Sequence, residues 1–256
     1  MIAADQPTCF DDSLLVAMSS RSDRTMLDRS ASRHAPQVVA NRRKFCQQLA
    51  VPYEDVVFMG VLYLTGRRYD CIVEVDAAAT ARHTPDVVAD ALVTRTPGVA
   101  LMLTEADCIA VVMYDAIKGL LALLHLGRHS TVANLMQRMV EKFIHEGSKP
   151  EDIIVWMSPS AQQSTYVMKY FDQATDPVWQ PFYKKHHDGY YLDMQGYNAS
   201  ICQRAGIPPS NIHISPINTM TDPHYFSHAQ GDTTGRTAVV DRKSTRLNSS
   251  HTNRSR

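Results

Sequence analysis

A cysteine and a histidine that stand seventeen positions apart are the residues of this sequence best suited to do chemistry. Cys108 opens an apolar run over 109–114, and His125 follows a second apolar run over 119–124. Both runs have the length and the turn-like ends of buried strands. Two such strands, paired, would bring the thiol and the imidazole side by side. The pair can act as nucleophile and base, can bind zinc, or can be a buried cysteine beside a satisfied core histidine.

The segments around this pair alternate between strand-like and helix-like patterns. The clearest helix is expected over 131–145, where apolar residues recur at helical spacing, Ser130 suits the N-cap and Gly147 provides a stop. The segments 56–64 and 71–75 are expected to form a hairpin. Pattern alone therefore predicts an α/β (α+β) fold in one domain. Further helices are predicted over 36–49 and 190–205, and further strands over 14–18, 99–103, 153–157 and 212–214.

Composition and charge indicate a soluble globular protein and give no support for binding to nucleic acid or membrane. The 256 residues have no formal net charge, with 44% hydrophobic and 20% charged residues. Residues 241–256 carry five basic residues and one acidic residue, which leaves 21 basic and 25 acidic residues elsewhere. That balance gives no electrostatic basis for binding nucleic acid. Five cysteines without a CxxC pair, and no apolar run of membrane-spanning length, lead us to expect a cytoplasmic protein with reduced thiols.

The last sixteen residues are expected not to belong to the folded domain. The sequence DRKSTRLNSSH over 241–251 is, codon by codon, the translation of a common sequencing-library adapter. We therefore interpret 241–256 as adapter read-through, with a natural basic tail as the alternative. The domain itself is placed over 11–240.

A family resemblance surrounds the cysteine and the histidine. It rests on ADALVTRTPGVALMLTEADCIAVVMYD over 89–115, followed by HLGRHS over 125–130. These motifs resemble the laccase-domain (multicopper polyphenol oxidase, YfiH-like) family. The resemblance implies mixed β-sheets sandwiched with outer helices, and a zinc-binding purine nucleoside phosphorylase with adenosine deaminase side activity. The family metal is held by two histidines and one cysteine, of which Cys108 and His125 match the cysteine and the second histidine.

This chain departs from the family pattern at the first histidine of the metal site. The family has Q-V-H there, whereas the best match in this sequence is Val61-Leu62-Tyr63. A neutral phenol is a poorer zinc ligand than imidazole. The family motif G-W-R-G is replaced by Gly127-Arg128-His129-Ser130, which puts a further histidine four residues after His125. Tyr63 and His129 are therefore the two candidates for the third ligand.

The remaining candidate residues follow from the family motifs and from local chemistry. Asp107, next to Cys108, is a candidate catalytic residue that orients a histidine or holds a substrate amine; the alternative is a strand-end carboxylate that accepts backbone N–H groups. Two family arginines are replaced by Ala229 and Gln230, while Gly235-Arg236 matches the family T-G-R. The candidate substrate-binding residues are Asn41, Arg128, His129, Ser227 and Arg236.

These observations leave three hypotheses about function. The first is a zinc-dependent purine nucleoside phosphorylase or adenosine deaminase-like enzyme that acts on adenosine, inosine or guanosine, with Cys108, His125 and Asp107 at its centre. The second is a metal-free hydrolase or deamidase with Cys108 as nucleophile and His125 as base. The third is a non-catalytic binding protein of the same fold. Zinc is the expected cofactor rather than copper, because the histidine-rich motifs of a multicopper oxidase are absent. The expected partners are a nucleoside and phosphate.

Overall fold

The computed structural model describes residues 1–245 of the chain, which form fourteen strands and four α-helices. The first nine elements are β1 (Leu14–Met18), α1 (Pro36–Gln48), β2 (Val56–Gly60), β3 (Ile72–Glu74), β4 (Val87–Val88), β5 (Ala91–Thr94), β6 (Ala100–Glu105), β7 (Ile109–Asp115) and β8 (Leu120–Leu126). The other nine are α2 (Arg128–Val132), α3 (Leu135–His145), β9 (Ile153–Met157), β10 (Val167–Met168), β11 (Tyr183–His186), β12 (Gly189–Leu192), α4 (Met194–Arg204), β13 (Ile212–Ile214) and β14 (Thr237–Lys243).

The strands form three sheets. A six-stranded sheet has the order β13-β9-β7-β8-β5-β3, and a five-stranded sheet has the order β1-β14-β6-β2-β4. The third sheet, β10-β12-β11, is a small antiparallel one. Every residue of β7 and β8 is buried, which explains why both strands are continuous apolar runs rather than alternating ones.

The two large sheets pack face to face, with helices on both outer sides. Successive side chains of a strand point to opposite faces, so one face of β7 packs on α3 and α4 while the other packs on the five-stranded sheet. On the far side of that sheet, Phe45 and Cys46 of α1 pack against Phe58 and Met102. This arrangement confirms the α/β fold of sandwiched mixed sheets with outer helices in a single domain.

Three local predictions were wrong. The helix expected over 190–205 begins only at Met194, because Gly189–Leu192 pair as strand β12 and Asp193 is the N-cap. The helix expected over 131–145 is interrupted, because Asn134 adopts a left-handed conformation (φ 60°) that ends α2 and allows α3 to begin; Ser130 lies inside α2, and the N-cap is Gly127. The hairpin expected between 56–64 and 71–75 does not form. Instead, β2 pairs with β6 and β3 pairs with β5, because the two segments belong to different sheets.

The end of the chain bears only partly on the proposed adapter read-through. Residues 246–256 lie outside the described residues, and Asp241 to Lys243 continue β14 between β1 and β6. The read-through interpretation stays a prediction. Within residues 1–245, no helix is both long enough and apolar enough to cross a bilayer.

Asp241 is a buried acid near the positive charge of Lys243. Its side chain shares a strand face with Val239, which packs between the two large sheets, and neither carboxyl oxygen has a hydrogen-bond partner within the described residues. Burial raises the pKa of this carboxyl well above its ordinary value. A buried polar group without a hydrogen bond destabilises the folded state.

We expect Asp241→Val to raise the free energy of unfolding by about 1–3 kcal/mol near pH 7. The raised pKa means that the folded state binds this proton more tightly than the unfolded state. Its destabilising effect therefore develops as the pH rises above the ordinary aspartate value of about 3.9, and the gain should shrink below it. Urea unfolding near pH 7 and below about pH 3.9 measures the free energy of unfolding of both proteins. Asp115→Val is the control, expected to destabilise because Asp115 accepts the backbone N–H groups of Ile117 and Lys118. An unchanged free energy of unfolding in Asp241→Val near pH 7 would contradict the claim that the buried carboxyl destabilises the fold.

Candidate active site

The antiparallel pairing of β7 with β8 brings Cys108 and His125 together. His125 is opposite Ala110 in the register, and Cys108 lies two residues before Ala110. Gly127 lies beside both side chains, because a Cβ at this position would lie 3.1 Å from Cys108 Sγ and 3.4 Å from His125 Cε1. The thiol and the imidazole therefore face the same space, as the spacing predicted.

Tyr63 completes the cluster from the segment that follows β2. Its hydroxyl lies 3.3 Å from His125 Nε2, and its ring meets the imidazole edge-on with the centroids 6.2 Å apart. The same hydroxyl also interacts with the Cys108 thiol. The ring of Tyr63 is half exposed while its hydroxyl points inward. We call Cys108, His125 and Tyr63 the three-residue cluster.

Burial keeps the three-residue cluster uncharged near neutral pH. It raises the pKa of the Cys108 thiol to about 12, with the nearby carboxyl groups of Glu105 and Asp107 acting in the same direction. Burial also lowers the pKa of His125 to about 4 and raises the pKa of Tyr63 above its ordinary value. A thiolate–imidazolium pair, which a cysteine nucleophile would require, is therefore disfavoured here.

The donor set does not fit the zinc site that the family resemblance implies. His129, one candidate for a third ligand, is exposed; its ring stacks on Tyr69 with the centroids 4.8 Å apart, and Arg128 reaches its Nε2. Across residues 1–245, no three side chains of His, Cys, Asp or Glu converge as a metal site would require. The other candidate, Tyr63, supplies a protonated phenol, which lies outside the usual zinc donors of thiolate, imidazole and carboxylate. We derive no catalytic step through a metal.

Two arginines, Arg29 and Arg236, line the same cavity as the three-residue cluster, and we call them the arginine wall. The cluster lies in a cavity of about 580 Å³, a volume typical of a small-molecule site. Arg236 is buried in this wall, and its Nη1 donates to the carbonyl oxygens of Asp232 and Gly235. Burial lowers the pKa of Arg236, and the positive charge of Arg29 lowers it further. Two positive charges that act on each other in one cavity favour an anionic ligand there.

Three of the predicted site residues, Asn41, Ser227 and Asp107, do not line this cavity. Asn41, on α1, donates to the carbonyl oxygen of Thr25 at 2.8 Å. The buried Ser227 accepts the backbone N–H of Gln230. The roles predicted for these residues in substrate binding stay predictions without a contact to the cavity. The predicted residues that do line it are Tyr63, Cys108, His125, Arg128, His129 and Arg236.

Asp107 positions the loops around Cys108. Its backbone adopts φ 70°, an unusual conformation for a residue other than glycine. One carboxylate oxygen accepts from Thr219 Oγ1 and the other from the backbone N–H of Ala229, both at 2.8 Å. This arrangement matches the alternative stated for Asp107, a carboxylate that accepts a backbone N–H. These two hydrogen bonds hold the turn that places Cys108 at the cavity. Asp107 itself does not line the cavity.

Glu105 and Arg29 are two charged residues of the cavity wall that were not predicted from the sequence. Glu105 ends β6, and its pKa is raised well above the ordinary value by burial; Thr237 donates to its Oε1 at 3.1 Å. Its place three residues before Cys108 was a signal that could have been read. Arg29 lies in an irregular segment with no recognisable motif, so only the folded chain reveals it.

Fold and cavity together define a single-domain α/β protein whose cavity is lined by a cysteine and a histidine. The chain belongs to the family described as multi-copper polyphenol oxidoreductase laccase, whose sequence model matches residues 23–241. The resemblance found in the sequence is thus confirmed.

Named relatives and a solved structure extend this comparison. A purine nucleoside phosphorylase of Mycobacterium tuberculosis is 29% identical over 207 residues, covering 79% of this chain and 78% of the relative. An adenosine deaminase from an unknown prokaryotic organism is 28% identical over 135 residues, covering 48% of this chain and 49% of the relative. The crystal structure of YlmD from Geobacillus stearothermophilus shares the fold, with a TM-score of 0.78 and 23% identity over 95% of this chain and 98% of that one.

We expect the alkylation rate of Cys108 by iodoacetamide to rise about tenfold per pH unit without reaching a plateau below pH 10. The reason is that only the thiolate reacts, and the pKa of this thiol is raised to about 12. Mass spectrometry of the labelled peptides measures the rate at each pH, and the exposed Cys71 serves as an internal comparison. Restricted access would lower the alkylation rate at every pH alike, whereas a raised pKa makes the rate increase with pH over the whole range. A plateau near pH 7 would instead indicate a thiolate nucleophile.

Proposed function

We propose that the chain is a purine nucleoside-processing enzyme that binds a nucleoside and inorganic phosphate in the cavity and cleaves the nucleoside by phosphorolysis. Relatives that match most of this chain are named purine nucleoside phosphorylases. The observation that carries the proposal is the pair of arginines, Arg29 and Arg236, beside an uncharged polar cluster.

The arginines suit phosphate because a guanidinium binds phosphate oxygens through parallel N–H groups. Arg236 is held rigidly by two backbone carbonyl oxygens, so little freedom is lost when it binds an anion. Within residues 1–245, the Arg29 guanidinium makes no hydrogen bond to the protein, which leaves its donors available. A phosphate dianion between the two would relieve their mutual repulsion.

The three-residue cluster suits the nucleoside. At neutral pH the Tyr63 hydroxyl and the Cys108 thiol both carry protons that can be donated to ring nitrogens or ribose hydroxyls. In phosphorolysis a phosphate oxygen forms a bond to C1′ of the ribose while the C1′–N9 bond breaks. The electron pair leaves with the purine, which takes up a proton. The contribution of the protein is then to hold the two reactants in line.

Deamination is less well supported by this site. Attack on the purine ring by water needs an activated hydroxide, which a bound metal or a good general base supplies. The pKa of His125 is lowered to about 4, which makes it a weak base. Phosphate, by contrast, is already an anion at neutral pH and needs only to be bound.

We expect the full chain to convert inosine, guanosine or adenosine to the free base and ribose 1-phosphate only when phosphate is present. Arg29→Ala should raise the KM for phosphate about 10–100-fold, because a hydrogen bond to a charged group contributes about 1.5–3 kcal/mol. Chromatography of the products measures both effects. Arg82→Ala is the matched control, since Arg82 is an exposed arginine that pairs with Asp55 outside the cavity.

Each outcome of this assay separates the hypotheses. Release of inosine from adenosine without phosphate would indicate a deaminase instead. Nucleoside binding with no turnover of any of the three substrates would favour the non-catalytic binding protein. Equal KM values for phosphate in Arg29→Ala and Arg82→Ala would contradict the assignment of the arginine wall.

A further inference from the structure

We propose that Tyr63 keeps the Cys108–His125 pair free of a resident metal, and that the residue at position 63 alone decides whether this cluster binds zinc. The inference concerns the cluster itself and does not depend on the reaction proposed above.

The geometry of the three-residue cluster is that of a metal site. Ligands of zinc stand about 2.0–2.2 Å from the ion, so two nitrogen or oxygen ligands of one tetrahedral ion lie about 3.3 Å apart. The Tyr63 hydroxyl and His125 Nε2 are 3.3 Å apart. Gly127 leaves room beside both Cys108 Sγ and the imidazole, because any Cβ there would press on them. Three side chains therefore converge on one point.

The Tyr63 hydroxyl is unsuitable as the third zinc ligand. The hydrogen bond between Tyr63 and His125 engages Nε2 whichever of the two atoms donates, so the ring nitrogen that faces Tyr63 already has a partner. Tyr63 would also have to lose its proton in a buried setting to become a ligand. A thiol and one imidazole are then left, one donor fewer than the three protein ligands of a catalytic zinc site.

Nearby donors are engaged elsewhere and do not replace the missing ligand. The ring of His129 stacks on Tyr69, and both carboxylate oxygens of Asp107 accept hydrogen bonds from the loops at Thr219 and Ala229. Glu105 accepts from Thr237 through Oε1, and its buried Oε2 has no hydrogen-bond partner within residues 1–245. Glu105 nevertheless does not form a group of three metal-binding side chains with Cys108 and His125 among these residues. The outcome therefore depends on position 63.

Position 63 tolerates other side chains. It lies in the irregular segment between β2 and β3, and the tyrosine is 53% exposed. A histidine at this position is shorter than the tyrosine and its nitrogen could fall short of the metal. A glutamate at the same position is therefore tested as a second donor of different length. Either change supplies a third ligand without altering β7 or β8.

The test is a zinc titration of the full chain against a chromophoric chelator, after removal of bound metals. The variants are Tyr63→Phe, Tyr63→His, Tyr63→Glu and the double variant Tyr63→His/Cys108→Ser. We expect wild type and Tyr63→Phe to bind zinc equally weakly. Tyr63→His or Tyr63→Glu should bind one zinc per chain at least about 100-fold more tightly, a gain that Cys108→Ser removes.

Several results would overturn the proposal. Wild type that binds one zinc as tightly as Tyr63→His would show that the cluster already holds the metal. Loss of zinc in Tyr63→Phe relative to wild type would identify Tyr63 as a ligand. Failure of both donor variants to gain zinc would refute the decisive role of position 63. Circular dichroism checks that each variant is folded. If the donor variants misfold, the zinc affinities of wild type and Tyr63→Phe still test whether Tyr63 is a zinc ligand.

Discussion

The pairing of β7 with β8 is the interaction on which the rest of the site depends. It joins two fully buried strands, and its register places His125 opposite Ala110. A slip of one residue would turn every side chain of one strand to the opposite face and separate His125 from Cys108. The burial of both faces holds the register, because a slipped strand would have to exchange its packing on two layers at once.

The same burial determines what the site can do. His125 is buried in β8 and Cys108 is partly buried beside it, and the loss of solvation keeps the imidazole and the thiol uncharged. Positive charge comes instead from Arg29 and Arg236, which lie in irregular segments that line the same cavity. A cavity with neutral donors and two cations is suited to holding an anion beside an uncharged ring. It is poorly suited to a charged nucleophile.

The sequence was most informative where contacts are local and least informative where they are distant. The strands that carry Cys108 and His125 were predictable from apolar runs, and the place of Tyr63 was predictable from a family motif. The contact of Asp107 with Thr219 joins residues more than a hundred positions apart, so no pattern could reveal it. Arg29 was missed for the same reason, since its backbone N–H bonds to Thr234 at the other end of the chain.

The central claim is that burial keeps the three-residue cluster neutral, and the most direct measurement of it is the titration of His125 by NMR. The imidazole resonances, assigned by comparison with His125→Gln, should stay constant from pH 8 to pH 5 and shift only as the pH approaches about 4. The ordinary pKa of a histidine side chain is about 6.5. A midpoint for His125 near 6.5 or above would contradict the account.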